Sequence, residues 1–119
     1  MEIYKNYKFH ASRYLINVPK GHICSKMHGH TFNLTVHIKG PVNKIDGFVI
    51  DFFDVDTIVN NTIISKIDHK VLNDIDSLSN PTSENLTKWI WTELKKSLNG
   101  LSKIVLSEDH GTGIIYKGE

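Results

Sequence analysis

A single cysteine, three prolines and no apolar stretch near the roughly 18 residues that cross a bilayer set the first limits on this 119-residue chain. One thiol, Cys24, excludes an intrachain disulfide and suits a reducing compartment. The opening segment MEIYKNYKFH lacks the apolar centre of a signal peptide, so a cytoplasmic location and no membrane partner are expected. The two signs of charge nearly cancel, for a net +1, which argues against a surface that binds nucleic acid by bulk electrostatics. No repeat, low-complexity tract or linker divides the sequence, and residues 1–119 are expected to form one domain. So short a chain has little mass for a deep private cleft, which favours a site shared between subunits.

What is present is a set of periodic apolar segments. Ile3, Tyr7, Phe9 and Ala11 alternate with polar residues and predict a strand over 3–13, and VPKGH (18–22) predicts a loop. The clearest strand covers 28–39, where His28, His30, Phe32, Leu34, Val36 and Ile38 share one face. DGFVIDF (46–52) predicts a short return strand. From Asp54, a plausible N-cap, the spacing of Val55, Ile58, Val59, Thr62, Ile63 and Ile67 turns helical. Asn80-Pro81 predicts a second helix start with Pro81 at the first helical position. That helix runs through SENLTKWIWTELKKSL to Asn99-Gly100, burying Leu86, Trp89 or Ile90, Leu94 and Leu98. KIVLSE (103–108), with Ile104, Leu106 and Glu108 on one face, and IIYKG predict two final strands around a Gly111–Gly113 turn. The order predicts an α+β fold, an antiparallel sheet with helices on one side. The edges of so small a sheet need covering, which points to oligomerisation.

Four groups could carry chemistry. His28 and His30, two apart on a strand, can converge on one metal ion, or be two histidines bonded to backbone. Cys24 in GHICSKMH is either a small apolar residue or a thiol activated by its cationic and imidazole neighbours. Asp68-His69 is either a solvated helix end or a carboxylate–imidazole proton-transfer pair, the latter requiring an irregular turn or another partner. Glu108 is either a strand-end residue or an acceptor for a ligand's N–H donors.

The residues Phe9 and Ala11, then VPKGHIC, MHGHTF, GFVIDF, IDHKVLND, NPTSENL with KWIW, and SED before IIYKG resemble the 6-pyruvoyltetrahydropterin synthase family. The resemblance is closest to its bacterial 6-carboxytetrahydropterin synthase branch, of the queuosine pathway. It implies a tunnelling fold, a four-stranded antiparallel sheet with two helices on one face. Trimers of that fold close barrels and pair into hexamers, with active sites between subunits. It implies conversion of dihydroneopterin triphosphate to 6-carboxytetrahydropterin, with 6-pyruvoyl chemistry as the alternative. It further implies His28 and His30 as two of three zinc-ligand histidines, Cys24 as the proton-moving cysteine and Asp68 and His69 as its relay partners. Glu108 matches the carboxylate that holds the pterin ring, and Thr82 a pterin-contacting threonine. Zinc would acidify the substrate's side-chain bonds as a Lewis acid.

One position departs from this pattern. The family's third zinc histidine closes a Phe-x-Ala-Ala-His strand motif, and the matching stretch here, FHASRYL, carries Arg13 instead. Arginine has five donors, no lone pair and a permanent charge, so it is not a metal ligand. His10 is three positions away, on the opposite face of a regular strand, and His22, His37 and His110 qualify only if loops or another subunit bring them in. Three readings follow: a synthase with a rebuilt zinc site, a non-catalytic pterin- or nucleotide-binding relative with Arg13, His28 and His30 as an anion pocket, or a structural oligomer with a relic site.

Overall fold

The computed structural model describes residues 1–119. Strand β1 (Glu2–Arg13) pairs antiparallel with β2 (His28–Lys39) over the full length of both, from Glu2 opposite Lys39 to Arg13 opposite His28. Strand β3 (Leu101–Glu108) lies on the other side of β2, and β4 (Gly113–Tyr116) closes the order β1-β2-β3-β4, every pairing antiparallel. Period-2 patterning gives the sheet one apolar face: Phe9, Phe32, Leu34, Val36, Ile104 and Leu106 are fully buried. The Phe9 and Phe32 rings stack there with centroids 5.0 Å apart.

The helices come from the β2–β3 connection and cover that face. Helix α1 (Phe52–Val59) runs on through a π-helical turn (Asn60–Ile64) into a last short turn, α2 (Ser65–Ile67). Val55, Val59, Ile63 and Ile67 are all buried and recur every four residues. On a regular α-helix each such step overshoots a full turn by about 40°, so the set would wind about 120° around the rod. A π-turn takes more residues per revolution and absorbs most of that drift. Helix α3 (Ser83–Lys95) packs beside it through Leu86, Thr87, Ile90 and Leu94; Ile90, not Trp89, takes the buried position.

Three sequence expectations are corrected. DGFVIDF forms no return strand: the Asn43 side chain accepts from the backbone of Ile45 and Asp46, and Asp46 from that of Phe48. These local bonds close a loop in place of a ladder, and Asp51, not Asp54, caps α1 by accepting from Phe53 N at 2.8 Å. Pro81 precedes the second helix instead of opening it, because Thr82 is the N-cap, accepting from Asn85 N at 3.1 Å.

Candidate functional site

The paired ends of β1 and β2 put Arg13, His28 and His30 on the core face of the sheet, and the end of β3 adds Glu108 opposite Phe32. Arg13 is only 6% exposed. Its guanidinium crosses the Phe32 ring, 5.4 Å from the centroid, a cation–π distance. It ends on three partners: Nη2 donates to Glu108 Oε1 at 2.6 Å, and Nη1 to the Pro81 carbonyl at 3.1 Å and Ser83 Oγ at 3.2 Å. Ser83 Oγ also donates to Glu108 Oε1 at 2.5 Å. Burial alone would raise the Glu108 pKa, but the Ser83 and Arg13 hydrogen bonds outweigh it and hold the carboxylate below its ordinary range. Its other oxygen faces His30 Nδ1 at 3.8 Å.

His28 is oriented from behind. Its Nδ1 donates to the Lys26 carbonyl at 2.7 Å, leaving the lone pair on Nε2, which is buried without a partner. Arg13 Nε, on the residue directly opposite in the ladder, is the complementary case, a buried N–H with no acceptor. His30 stands edge-on to His28, ring centroids 4.7 Å apart, and 5.9 Å from His110. Desolvation, opposed by Glu108 and reinforced by Arg13, His28 and His110, keeps its pKa below the ordinary imidazole value. Cys24, partly buried, shares with His28, His30 and His110 a cleft of about 490 Å³ that Ile23 and Met27 also line. The cysteine backbone is fixed by His22 Nδ1, which accepts from Cys24 N at 3.0 Å.

Asp68 and His69 lie elsewhere. The helix ends at Asp68, and His69 takes a left-handed φ of 59°, the irregular turn their pairing requires. His69 Nδ1 then reaches Asp68 Oδ1 at 3.1 Å, while that oxygen also accepts from His10 N at 2.9 Å. The His10 backbone bond is the main reason the Asp68 pKa is lowered. His69 is 76% exposed and lines a second cleft with His10, Ser12, Thr31 and Lys70. The two clefts meet only at Gly29 and His30, so one chain does not bring Cys24 and His69 into a single cavity.

Of the remaining candidates, Thr82 caps α3, and His10 bonds to Thr31 on the opposite sheet face, as its parity requires. His37 lies near Glu2 at the far end, and His22 is spent on capping a 3-10 turn at Ile23–Ser25. Only His110 reaches the His28–His30 cleft. Ser83 and the Pro81 and Lys26 carbonyls were not visible as site groups in the sequence. The one signal for Ser83 was its place in the first turn after a cap, where a short hydroxyl side chain is ordinary.

A family model described as 6-pyruvoyl tetrahydropterin synthase matches residues 2–119. The chain is 44% identical over 84 residues, 70% of each chain, to a putative 6-carboxy-5,6,7,8-tetrahydropterin synthase of Archaeoglobus fulgidus. It is 36% identical over 92 residues to a dihydroneopterin monophosphate aldolase of Pyrococcus furiosus, covering 75% of this chain and 76% of that one. The solved 6-pyruvoyl tetrahydropterin synthase of Caenorhabditis elegans shares the fold, with a TM-score of 0.91 at 21% identity over 100% of this chain and 96% of that one. The chain belongs to the 6-pyruvoyl tetrahydropterin synthase family.

The zinc that the resemblance implies can be tested against the donor set. His28 suits a metal: its Nδ1 is pinned on a carbonyl and its Nε2 lone pair is free. The third ligand position does not, because a guanidinium with no lone pair stands there. No three His, Cys, Asp or Glu side chains converge on one point. A three-histidine zinc site therefore does not fit this chain.

Proposed function

We propose that the chain is a pterin lyase of the 6-carboxytetrahydropterin synthase type, acting on dihydroneopterin triphosphate in 7-deazapurine (queuosine) biosynthesis. The observation that carries this reading is the placement of Cys24 in one cleft with His28 and His30, next to a mostly buried, ionised Glu108. Family membership and the 44% identical relative agree with it. In this reading Glu108 accepts from the paired N–H donors of the pterin ring through the oxygen that Arg13 leaves free, a charge-assisted contact. Thr82, which caps the helix carrying Ser83, positions that end of the ring pocket. Cys24 removes a proton from the hydroxylated side chain, and His69, oriented by Asp68, moves a proton on and off its oxygens. Because Cys24 and His69 open into different clefts, His69 comes from a neighbouring subunit, in a trimer or in a hexamer of two trimers. The cytoplasm is the proposed location, in keeping with a single free thiol.

A second reading is favoured by the 36% identical aldolase relative. The same proton transfers on the same side chain would drive carbon–carbon cleavage. Incubating the purified protein with dihydroneopterin triphosphate, and separately with the monophosphate, decides between them by product mass. A 6-carboxy product supports the first reading, a 6-pyruvoyl product the related synthase activity, and a hydroxymethylpterin the aldolase. No turnover of either substrate overturns the catalytic proposal.

A further inference from the structure

Both readings of the reaction leave one part of the ligand without a place: the phosphate at the far end of the hydroxylated side chain. The segment that follows α2 is stitched to the free edge of β1. The His69 amide donates to the His10 carbonyl at 2.6 Å, the Ser12 amide to the Lys70 carbonyl at 3.0 Å, and the His10 amide to Asp68 Oδ1 at 2.9 Å. With His69 in its left-handed turn, these bonds gather His10, Ser12, Thr31, His69 and Lys70 around one cleft. Its volume, about 430 Å³, falls within the roughly 300–1,000 Å³ range of small-molecule sites.

The donors around this cleft are unspent. Lys70 takes part in none of the six ion pairs of the chain. The His10 ring uses Nδ1 on Thr31 Oγ1 at 3.0 Å, and the His69 ring uses Nδ1 on Asp68 Oδ1 at 3.1 Å, so each keeps Nε2 for a ligand. No carboxylate lines the cleft. Asp68 stands next to it, but the oxygen that meets His69 is the one already held by the His10 amide. A permanent cation, two imidazoles and two hydroxyls with no acid among them suit an oxyanion, whose oxygens accept. Lys70 would repel a metal cation, and an apolar ring would find only Ala11 to lie on.

We infer that this cleft is a phosphate-binding site, in which Lys70, His10 and Ser12 hold the phosphate end of the substrate while its ring lies at Glu108 of a neighbouring subunit. This rests on the pterin reading and deepens it. In that reading His69 works on the side-chain oxygens, and the phosphate is attached at the end of the same short chain. It therefore comes to rest beside His69, where Lys70 follows in sequence and the His10 ring stands 5.8 Å away, centroid to centroid.

The test titrates the full-length protein calorimetrically with inorganic triphosphate, with neopterin and with neopterin triphosphate, the oxidised form of the substrate. His10 and Lys70 are exposed and tie the loop through backbone atoms, so Lys70→Met and His10→Asn should keep the fold, which circular dichroism checks. Wild type should bind inorganic triphosphate, and should bind neopterin triphosphate about tenfold more tightly than neopterin. Each variant should weaken both phosphate-bearing probes about fivefold and leave neopterin unchanged. Lys88→Met, at an exposed lysine of α3, should change nothing. Equal affinity for neopterin and its triphosphate, wild-type affinities in both variants, or an equal loss in Lys88→Met would overturn the inference and leave the pterin reading standing. Binding of inorganic triphosphate that depends on Lys70 and His10, with neither pterin bound, would support the phosphate site but overturn its assignment to a pterin substrate. Binding of none of the three would overturn both.

Discussion

Arg13 changes what the surrounding residues can do. It turns Glu108 from a carboxylate open on two oxygens into one held at Oε1 by a guanidinium and a serine. The pair is mostly out of water, with side chains 7% and 13% exposed, so losing one partner strands the other's charge or its donors. Arg13→Met and Glu108→Gln should each lower stability by about 3 kcal/mol in urea unfolding, and the double variant should lose clearly less than the sum. Additive losses would mean that the ion pair carries no coupling. His28 and His30 were legible on one face from alternation alone. The destination of Arg13 was not, because a long side chain with four rotatable bonds and five donors selects its acceptors by proximity in space. Those acceptors lie 68 to 95 residues further along the chain.

At the level of elements, α1 is tied to β1 by a polar clamp beside the apolar packing. Asp56 accepts from Tyr7 Oη at 2.7 Å and pairs with Lys5 Nζ at 2.6 Å. The Lys5 hydrogen bond first, and then that of Tyr7, hold the Asp56 pKa below its ordinary value, while burial and Asp56 push the Tyr7 phenol up. A carboxylate with a depressed folded-state pKa stabilises fully above its unfolded value, about 3.9, and its contribution is lost as pH falls through the lower folded one. Asp56→Asn should therefore lower the melting temperature at pH 7 and make little difference near pH 2, flattening the acid limb of the stability curve. Gly100, which joins α3 to β3, is a second such point. A Cβ there would lie 2.7 Å from the Lys39 carbonyl oxygen and 3.1 Å from an Ile38 methyl, where β2 and β3 shift register. Gly100→Ala should cost about 1–3 kcal/mol by thermal or urea unfolding, since backbone must move to admit one methyl.

Over the whole molecule, the two extended 12-residue strands β1 and β2 outrun the helices that cover them, and the body is elongated, 58 Å by 23 Å by 23 Å. The site occupies the end of the sheet where β1 and β2 meet the loops, with one cleft on each side. Strand β4 leaves an outer edge on which Ile115 is 64% exposed, a place for another strand to pair. No helix is long and apolar enough to cross a membrane. If the proposed site is shared, Cys24→Ser and His69→Ala should each be inactive alone. Mixed after subunit exchange, they should recover part of the activity, because some interfaces then combine an intact Cys24 with an intact His69. No recovery in verified mixed oligomers would place both residues in one chain's site.

The amino-acid pattern by itself determined the four strands, the helical segments between the second and third, and the apolar face that carries His28, His30 and Glu108. Alternation and helical spacing are local properties that any segment displays alone. The same locality explains the failed return strand at 46–52, where turn bonds from Asn43 and Asp46 beat a strand-like composition. Only the tertiary structure decided that Arg13 would bind Glu108 and Ser83, that Cys24 and His69 would open into separate clefts, and that His110 would join the His28–His30 cleft. Each of these depends on which side chains distant in sequence meet at the end of the sheet, and strand pairing and helix packing set that jointly. The opposition of Arg13 and His28 belongs to the same category, since it exists only once the ladder has formed.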